Sequence, residues 1–395
     1  MNTLSWQAAR EAAHQAGLDA ILPTRRQKPA DTDGLTLAAP LTALTDLPAF
    51  PTSSVDGYAV RGTGPWKLTG RVLAGETPPP LAEGCAVEVA TGAMVPDGLE
   101  AIIRLEDAKL EGGTVSGAAR PNPEWREVGE EATAGQVLLP AGVEISPTVI
   151  GLAAAAGHDT LEVRPRPRAA VLVFGDELAT EGVPGRGRVR DALGPLLPPM
   201  LRHVGAAPVP GFSPRGPIED TLDSHVAALR AALDDADIVC TTGGTMQGPV
   251  DHLHAALEAL GAEYVVDSVA VRPGFPMLLA ALPGERFVVG LPGNPQSAVI
   301  ALVSLVVPLI AGLTGRRLRQ LPRVKAGVDI PGRGTDTHLA LVRLGKYGSV
   351  VPSSHRGSAM LRGLAQSEGF AVIEPGKDAK EGDTVLFLPI PGDHR

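Results

Sequence analysis

Three segments between residues 168 and 314 share one order of features: an apolar run, a glycine-containing turn and a helical pattern. They are AAVLVFGDEL before DALGPLLPPMLRHVG, ADIVCTTGGTMQGPV before DHLHAALEALG, and RFVVGLPGNP before QSAVIALVSLVVPLIAGL. Strands that alternate with helices predict a mainly parallel sheet covered on both faces. Ligands bind such sheets beyond the carboxyl ends of the strands, so we expect the three turns to meet at one site.

The remaining segments show different patterns. Residues 1–22 carry apolar and small residues near a 3.6-residue period and predict a helix that ends at Gly17. Between residues 33 and 135, short Val, Leu and Ile runs broken by Gly, Pro and Thr predict a β-rich module. The segment SPTVIGLAAAAG predicts a small-residue helix, and the chain after about residue 321 predicts a small β-domain.

Composition excludes several classes of protein. A chain of 395 residues has room for two to four domains, and 44% hydrophobic residues exclude a largely disordered protein. The net charge of −9 has the wrong sign for a general nucleic-acid binder, which must neutralise phosphates. Aromatic residues make up only 3% of the chain, which also argues against base-stacking surfaces.

Cysteine use and hydropathy indicate a cytoplasmic protein. Cys85 and Cys240 form neither a disulfide framework nor a metal-ligand pair, so a reducing compartment is predicted. The N-terminal segment MNTLSWQAAREAAHQAG lacks the apolar core of a signal peptide. The uncharged stretch from Leu291 to Gly315 is long enough to span a membrane, but it begins LPGNP and contains Pro308, which favours a buried helix.

The turn Thr241–Thr245 has the features of an anion site. A glycine pair after a buried strand lets backbone N–H groups approach a ligand, and the helix that follows adds a positive dipole. An ordinary strand-to-helix turn fits the same residues. Asp251, just beyond, is either a helix N-cap or a contact to a metal ion or water beside a phosphate.

Two further segments combine charge with a turn. The adjacent carboxylates of Asp176 and Glu177 suit a divalent ion or a proton-handling role, although a solvated acidic turn is equally consistent. Asp191 follows the arginine-rich GRGRVR and is either a helix N-cap or part of a charged site. Arg272, in RPG, is the best single candidate for pairing with an oxyanion, against the alternative of a surface arginine.

Rigid or glycine-containing turns complete the set. The segment LPGNP, residues 291–295, is fixed by its prolines and open to a ligand at its glycine. Asp56 in DGYAV and Thr91 in ATGA each lie in a glycine turn of the β-rich module. Either of these two turns is also consistent with a simple hairpin corner.

Eight motifs follow one another along the chain: SSVDGYAVRG, AGE, ATGAMVPDGLEAIIRLED, REVGEEATAGQVLLPAG, FGDEL, TTGGT, VRPGFP and LPGNPQSA. From about Asp46 to the C-terminus, this series resembles the molybdopterin molybdotransferase family, which includes the bacterial MoeA type and the E-domain of gephyrin. The resemblance implies an enzyme that converts adenylylated molybdopterin and molybdate to molybdenum cofactor and AMP. It also implies a divalent ion, usually Mg²⁺.

The resemblance assigns roles residue by residue. The implied catalytic residues are Asp56, Thr91, Glu177, Asp191, Asp251 and Arg272. Metal ligation falls to Glu177, Asp220 and Asp251. The implied residues that bind the molybdopterin substrate lie in the turns: Gly175, Asp176, Thr242, Gly243, Gly244, Thr245, Pro273, Gly274, Pro292, Gly293, Asn294, Pro295 and Ser297.

The resemblance also implies the architecture, a homodimer of multidomain α/β plus β subunits. A helical and extended dimerisation stem would take residues 1–45 and 136–167, an inserted β-rich domain 46–135, an α/β molybdopterin-binding domain 168–315, and a C-terminal β-domain 320–395. A molybdopterin adenylyltransferase and molybdoenzyme-maturation proteins are candidate partners. Neither nucleic acid nor a membrane is expected as a partner.

The chain departs from the family pattern at several motifs. Phe275 replaces the second lysine of KPGKP, whose first lysine is replaced by Arg272. The other departures are Ala192-Leu193 for the Ser-Asn of DSN, Met246-Gln247 for the Ser-Val after TTGG, and Glu131 for the aspartate of GED. These departures leave open a weakened paralogue that binds or delivers molybdopterin or its cofactor. A molybdopterin adenylyltransferase, which shares the TTGG-type domain, is a second alternative.

Overall fold

The computed structural model describes residues 3–209, 215–245, 251–355 and 357–392, so the departure at Met246-Gln247 lies outside the described residues. The chain divides into two compact units. The large unit comprises Met1–Arg25, Gly34–Ala38 and Glu162–Arg395, and the small unit comprises Arg26–Asp33 and Ala39–Leu161.

The predicted parallel sheet is confirmed in the large unit. Its strands lie in the order Ala207–Pro208, Arg168–Phe174, Ile238–Thr242, Arg286–Leu291, Leu278–Leu282 and Glu263–Val266, with Arg215–Ile218 also paired to the second. The first four run parallel, and the last two join antiparallel at one edge. The central strand Ile238–Thr242 is buried throughout, as a sheet covered on both faces requires.

Helices cover both faces of this sheet. Alternate residues of one strand divide between two hydrophobic clusters, with Val171 and Val173 in one and Ala170 and Leu172 in the other. This division follows from the two-residue period of a strand. The helices of the large unit are Trp6–Asp19, Leu193–His203, Leu222–Leu233, Leu253–Ala259, Pro295–Ala301, Val307–Leu313 and the short Leu361–Leu364, with a π-helical turn at Leu302–Val306.

The apolar stretch near residue 300 forms a core helix. Among the described residues, Pro295–Leu313 is the one helix long and apolar enough to cross a membrane, with a mean hydropathy of 2.2. Within its apolar window, 89% of the residues are buried inside the protein. That burial agrees with the expectation of a buried helix.

The first helix packs against the end of this core helix through two glycines. The prediction that Gly17 ends the first helix is wrong, because the helix spans Trp6–Asp19 and Gly17 lies inside it. A Cβ at Gly17 would lie 2.7 Å from the backbone nitrogen of Leu313, and one at Gly312 would collide with the carbonyl oxygen of His14. Glycine is needed here for the close approach of two backbones.

A second sheet in the large unit gathers strands from distant parts of the chain. Its order is Thr3–Ser5, Ser268–Arg272, Thr337–Leu344, Ser349–Pro352, Arg323–Ala326, Thr384–Pro389 and Gly369–Ile373, and the last strand pairs back to Thr337–Leu344. The predicted C-terminal β-strands are therefore joined by two strands from before residue 273. One of these brings Arg272 beside His338 in a parallel register. Short strands elsewhere are Thr36–Leu37 paired with Leu161–Arg164, and Leu178–Ala179 paired with Val189–Arg190.

The small unit is rich in β-structure, as predicted. Its main sheet has the order Ala108–Glu111, Thr114–Gly117, Trp66–Val72, Cys85–Val89, Gly57–Val60 and Ala101–Arg104. Two strand pairs are Thr52–Ser53 with Trp125–Arg126, and Leu41–Thr42 with Val137–Leu139. The small-residue helix spans Pro147–Ala155, with the Ser146 hydroxyl accepting from the Val149 N–H as an N-cap.

Candidate functional site

In the small unit, the structure brings Asp56 and Thr91 together. Asp56 lies directly before the strand Gly57–Val60, and Thr91 lies just beyond the neighbouring strand Cys85–Val89. The backbone N–H and the hydroxyl of Thr91 donate to Asp56 Oδ1, at 2.7 Å and 3.1 Å respectively. Both residues are exposed. Two donors on one oxygen orient the carboxylate and leave its second oxygen for a ligand.

A bidentate ion pair supports the segment that carries Asp56. Arg104 donates from Nε and Nη2 to the two carboxylate oxygens of Glu124, each at 3.0 Å. The backbone carbonyl of Glu124 accepts from the Ser54 N–H, and the Leu105 N–H donates to the Asp56 carbonyl. The chain beside each member of the ion pair is therefore hydrogen-bonded to the Asp56 turn: Glu124 on the side of Ser54, and Leu105, next to Arg104, at Asp56 itself. Sequence reasoning missed it, because 20 residues that include two strands separate the two side chains.

This ion pair gives the small unit a predicted acid sensitivity. The hydrogen bonds from Arg104 lower the pKa of Glu124 below its ordinary value of 4.5. A carboxyl whose pKa is lower in the folded state stabilises the fold above its unfolded-state pKa and loses that contribution as pH falls through its folded-state pKa. We expect thermal unfolding measured from pH 7 to pH 3 to show a smaller acid-induced drop in Glu124→Gln than in wild type.

Glu111→Gln is the matched control for this experiment. Glu111 lies in the same unit, is exposed, and makes no side-chain hydrogen bond among those described. Its replacement removes the same charge and should leave the pH profile unchanged. Equal profiles for wild type and Glu124→Gln would show that the ion pair does not contribute to the acid sensitivity.

In the large unit, three turns meet at the carboxyl ends of neighbouring parallel strands, as expected. Gly243 is at the centre: a Cβ on it would lie 3.6 Å from the carbonyl oxygen of Phe174, the last residue of the first strand. A Cβ on Gly293 would lie 3.9 Å from the Gly243 Cα. Gly243 and Gly244 both have positive φ, of 83° and 66°, which glycine adopts without strain.

The threonines of this turn are less available than the sequence suggests. Thr242 and Thr245 are buried, at 2% and 7% exposure. The N–H of Gly243 already donates to the carbonyl of Leu291 at 3.0 Å. A ligand at this turn would therefore rely on the remaining backbone donors, together with the neighbouring LPGNP turn.

Asp176 and Asp220 form what we call the acidic clasp. The Asp176 N–H donates to Asp220 Oδ2 at 3.2 Å, and the Asp220 N–H donates to Asp176 Oδ1 at 3.4 Å. These reciprocal bonds hold two carboxylates together at the end of the sheet. Glu177 lies beside the clasp, with its carboxylate folded back so that a Cβ on Gly175 would lie 2.7 Å from Glu177 Oε2.

A buried histidine lies behind the clasp. His225 Nε2 is 3.5 Å from Asp220 Oδ1, and the ring stacks on Phe174 with centroids 3.8 Å apart. Burial lowers the pKa of His225, against the opposing effect of the Asp220 carboxylate. Both ring nitrogens are buried and lack a hydrogen-bond partner among the described residues. Sequence analysis did not select His225, because its helical position gives no sign of what the ring packs against.

The remaining predicted carboxylates have structural partners. Asp191 Oδ1 accepts from the N–H groups of Leu193 and Gly194 at 3.0 Å and 2.9 Å, so this carboxylate caps the start of the helix Leu193–His203. Asp251 is half-buried just before the helix Leu253–Ala259. Over the described ranges, no three His, Cys, Asp or Glu side chains are grouped to hold a metal ion.

Arg272 lines a cavity of about 1090 Å³ in the large unit. Its Nε donates to Asp336 Oδ2 at 2.7 Å, and its guanidinium carbon is 5.2 Å from the centre of the Phe275 ring. The guanidinium expected to hold an oxyanion is therefore already paired with a carboxylate, although its side chain is 55% exposed. The cavity is also lined by five of the thirteen residues predicted to bind the substrate: Pro273, Gly274, Pro292, Asn294 and Ser297.

Asp336 could not be found from the sequence, since 64 residues separate it from Arg272 and no motif marks it. The pairing depends on the parallel register between the strands Ser268–Arg272 and Thr337–Leu344. Gln296, which also lines the cavity, was likewise missed, although it lies within the LPGNPQSA motif.

Models of known families match this chain along nearly its whole length. Residues 4–157 match the MoeA N-terminal region (domain I and II), residues 170–312 a probable molybdopterin binding domain, and residues 323–390 the MoeA C-terminal region (domain IV). A molybdopterin molybdenumtransferase of Haemophilus influenzae is 30% identical over 87% of this chain and 88% of its own length. The chain belongs to the MoeA family.

Other members of the family show the same correspondence. A molybdopterin molybdenumtransferase of Synechococcus elongatus is 29% identical over 95% of this chain and 96% of its own. The crystal structure of a molybdopterin biosynthesis MoeA protein from Pyrococcus horikoshii superposes with a TM-score of 0.78 at 25% identity, covering 99% of this chain and 100% of its own. The resemblance inferred from the motifs and the multidomain α/β plus β fold are confirmed.

Proposed function

We propose that this MoeA-family chain is a molybdopterin molybdotransferase, which inserts molybdate into adenylylated molybdopterin and releases AMP. The observation that carries the proposal is the meeting of three glycine turns at Gly243, beside the acidic clasp. Backbone donors next to carboxylates suit a pyrophosphate together with its counter-ion. The names of the relatives, molybdopterin molybdenumtransferases, support the same substrate class.

The proposed reaction breaks one P–O bond of the pyrophosphate. Water or a molybdate oxygen attacks in line at the pterin's phosphorus, and AMP leaves with the electron pair of the broken bond. When water attacks, its proton passes to a carboxylate. The family resemblance gives Asp56, which Thr91 orients within the small unit, as the candidate. Glu177, Asp191 and Thr91 complete the proposed catalytic group, with Arg272 positioning an oxyanion.

We propose magnesium as an ion that binds together with the substrate. Mg²⁺ commonly takes one or two carboxylates and completes its coordination with phosphate oxygens and water. We propose that Asp220, Glu177 and Asp251 supply the one or two carboxylate ligands. Among the described residues they form no three-ligand group by themselves, so pyrophosphate oxygens and water would complete the coordination. When bound, Mg²⁺ would neutralise charge on the pyrophosphate.

We further propose a cytoplasmic homodimer whose subunits have the four domains at the boundaries given above. A molybdopterin adenylyltransferase is the proposed donor of the substrate, and molybdoenzyme-maturation proteins are the proposed acceptors of the product. Sedimentation of the purified chain tests the dimer: a monomer at micromolar concentration would contradict it.

The deciding assay is AMP release from adenylylated molybdopterin with molybdate and Mg²⁺. We expect release that requires both additions and that is lost when Asp56→Ala is combined with Glu177→Ala. The matched control combines Asp97→Ala with Glu181→Ala, two exposed carboxylates, one in each unit. No turnover by wild type, or full turnover by the Asp56/Glu177 variant, would contradict the proposal.

One observation favours a second function, a paralogue that holds or delivers the pterin without inserting metal. Asp336 is paired with Arg272, and Phe275 lies where the family pattern has a lysine. Both features reduce the positive charge available to molybdate. Tight pterin binding without AMP release would support this function in place of catalysis.

A further inference from the structure

The cavity beside Arg272 is lined largely by neutral groups. Its wall includes Phe275, Pro276, Ile330, Ala340 and Leu341, together with several further prolines. Its charged lining residues are Arg272, Arg333 and Asp336, and the Arg272 guanidinium is paired with the Asp336 carboxylate at 2.7 Å. The apolar side of this wall suits a planar, largely apolar group, because such a group loses little on leaving water.

One polar side chain in this wall has an unmet hydrogen-bonding requirement. Gln296 is 2% exposed, and its Oε1 is sealed from water without a partner among the described residues. Its backbone is held in place, because the Gln296 N–H donates to the carbonyl of Ser358 at 2.9 Å. A buried acceptor without a donor destabilises the protein unless something supplies the donor.

Resting on the proposed function, we propose that Gln296 recognises the pterin ring of the substrate, by pairing its carboxamide with the lactam edge of the ring in this cavity. A carboxamide carries one acceptor and two donors, so it can pair with the N–H and C=O of a lactam at the same time. Phe275 supplies an aromatic surface in the same wall, which suits a flat heterocycle. The cavity volume of about 1090 Å³ leaves ample room for a bicyclic ring.

The experiment measures binding of 6-hydroxymethylpterin to the full chain by the fluorescence of the pterin. We expect Gln296→Leu to weaken binding by about 10-fold or more, since it removes the paired hydrogen bonds. We also expect this variant to unfold at the same temperature as wild type or higher, because a buried unpaired acceptor is replaced by an apolar group of similar size. If Gln296 contributed to stability alone, Gln296→Leu would bind the pterin as wild type does and would unfold at a lower temperature.

A methylated ligand and a control variant make the test specific. 3-Methylpterin lacks the lactam N–H, so it should bind wild type and Gln296→Leu with equal, weak affinity. Gln366→Leu makes the same replacement at an exposed position of the large unit and should bind 6-hydroxymethylpterin as wild type does. Unchanged binding in Gln296→Leu overturns the proposal.

Guanine carries the same lactam edge, so guanosine monophosphate is the competing ligand. Binding of this nucleotide as tight as that of the pterin, with the same dependence on Gln296, would overturn the assignment to a pterin. The pterin measurement needs neither molybdate nor turnover. If pterin binding depends on Gln296 but no AMP is released, only the catalytic proposal is contradicted. If AMP is released but pterin binding does not depend on Gln296, only the proposal for Gln296 is contradicted.

Discussion

Asp56→Asn is expected to reduce kcat/KM for AMP release by about 10²- to 10⁴-fold while leaving the folded structure intact. The amide oxygen of asparagine can still accept the two hydrogen bonds that Thr91 now donates to Asp56 Oδ1. The geometry of the turn is therefore kept, and only the charge and the proton-accepting oxygen are lost. The measurement is the steady-state rate of AMP release as the concentration of adenylylated molybdopterin is varied, at saturating molybdate and Mg²⁺.

Asp97→Asn is the matched control for this prediction. Asp97 is an exposed aspartate of the small unit, and its replacement changes the net charge by the same amount. Its rate and its unfolding temperature should equal those of wild type. A rate for Asp56→Asn within a factor of three of wild type would remove Asp56 from the proposed catalytic group.

Gly312→Ala is expected to destabilise the large unit by about 3 kcal/mol or more, lowering its unfolding midpoint by about 6–12 °C. The added Cβ would collide with the carbonyl oxygen of His14 and lie 2.7 Å from the backbone nitrogen of Leu18. Backbone atoms cannot rotate away as a side chain can, so the two helices must separate. Calorimetric or fluorescence-detected thermal unfolding measures the effect.

Gly185→Ala provides the comparison. Gly185 is an exposed glycine of the same unit, and a Cβ there meets no atom within 4 Å. We expect its midpoint to stay close to that of wild type. If Gly312→Ala were as stable as Gly185→Ala, the close contact between the first helix and the Val307–Leu313 helix would not be a constraint on the fold.

Local patterns predicted the α/β sheet because each of its strands, turns and helices is encoded in a continuous segment. The strand Ile238–Thr242 and the turn at Gly243 follow from an apolar run and a glycine pair, whatever lies elsewhere. Gly17 shows the limit of this reasoning. A glycine that stops a helix and one that lets two helices touch look the same in a sequence, and only the packing partner at Gly312 distinguishes them.

The candidate site also divides into features that local motifs predict and features that depend on packing. The motifs placed Asp56, Thr91 and the turn glycines in the right kinds of loops, since glycine and short polar residues mark turns directly. They did not give the pairing of Arg272 with Asp336, nor the unpartnered state of Gln296. Both depend on which side chains a distant strand or helix brings within hydrogen-bonding distance.

The sequence by itself determined the family, the α/β and β-rich segments and the order of the glycine turns, because these are properties of contiguous residues. The tertiary structure alone decided how charge is distributed among them. In the folded chain Asp176 is hydrogen-bonded to Asp220, Asp191 caps a helix, and Arg272 is paired with Asp336. Electrostatic interactions fall off with distance in space and are independent of separation along the chain, so only the folded arrangement fixes them.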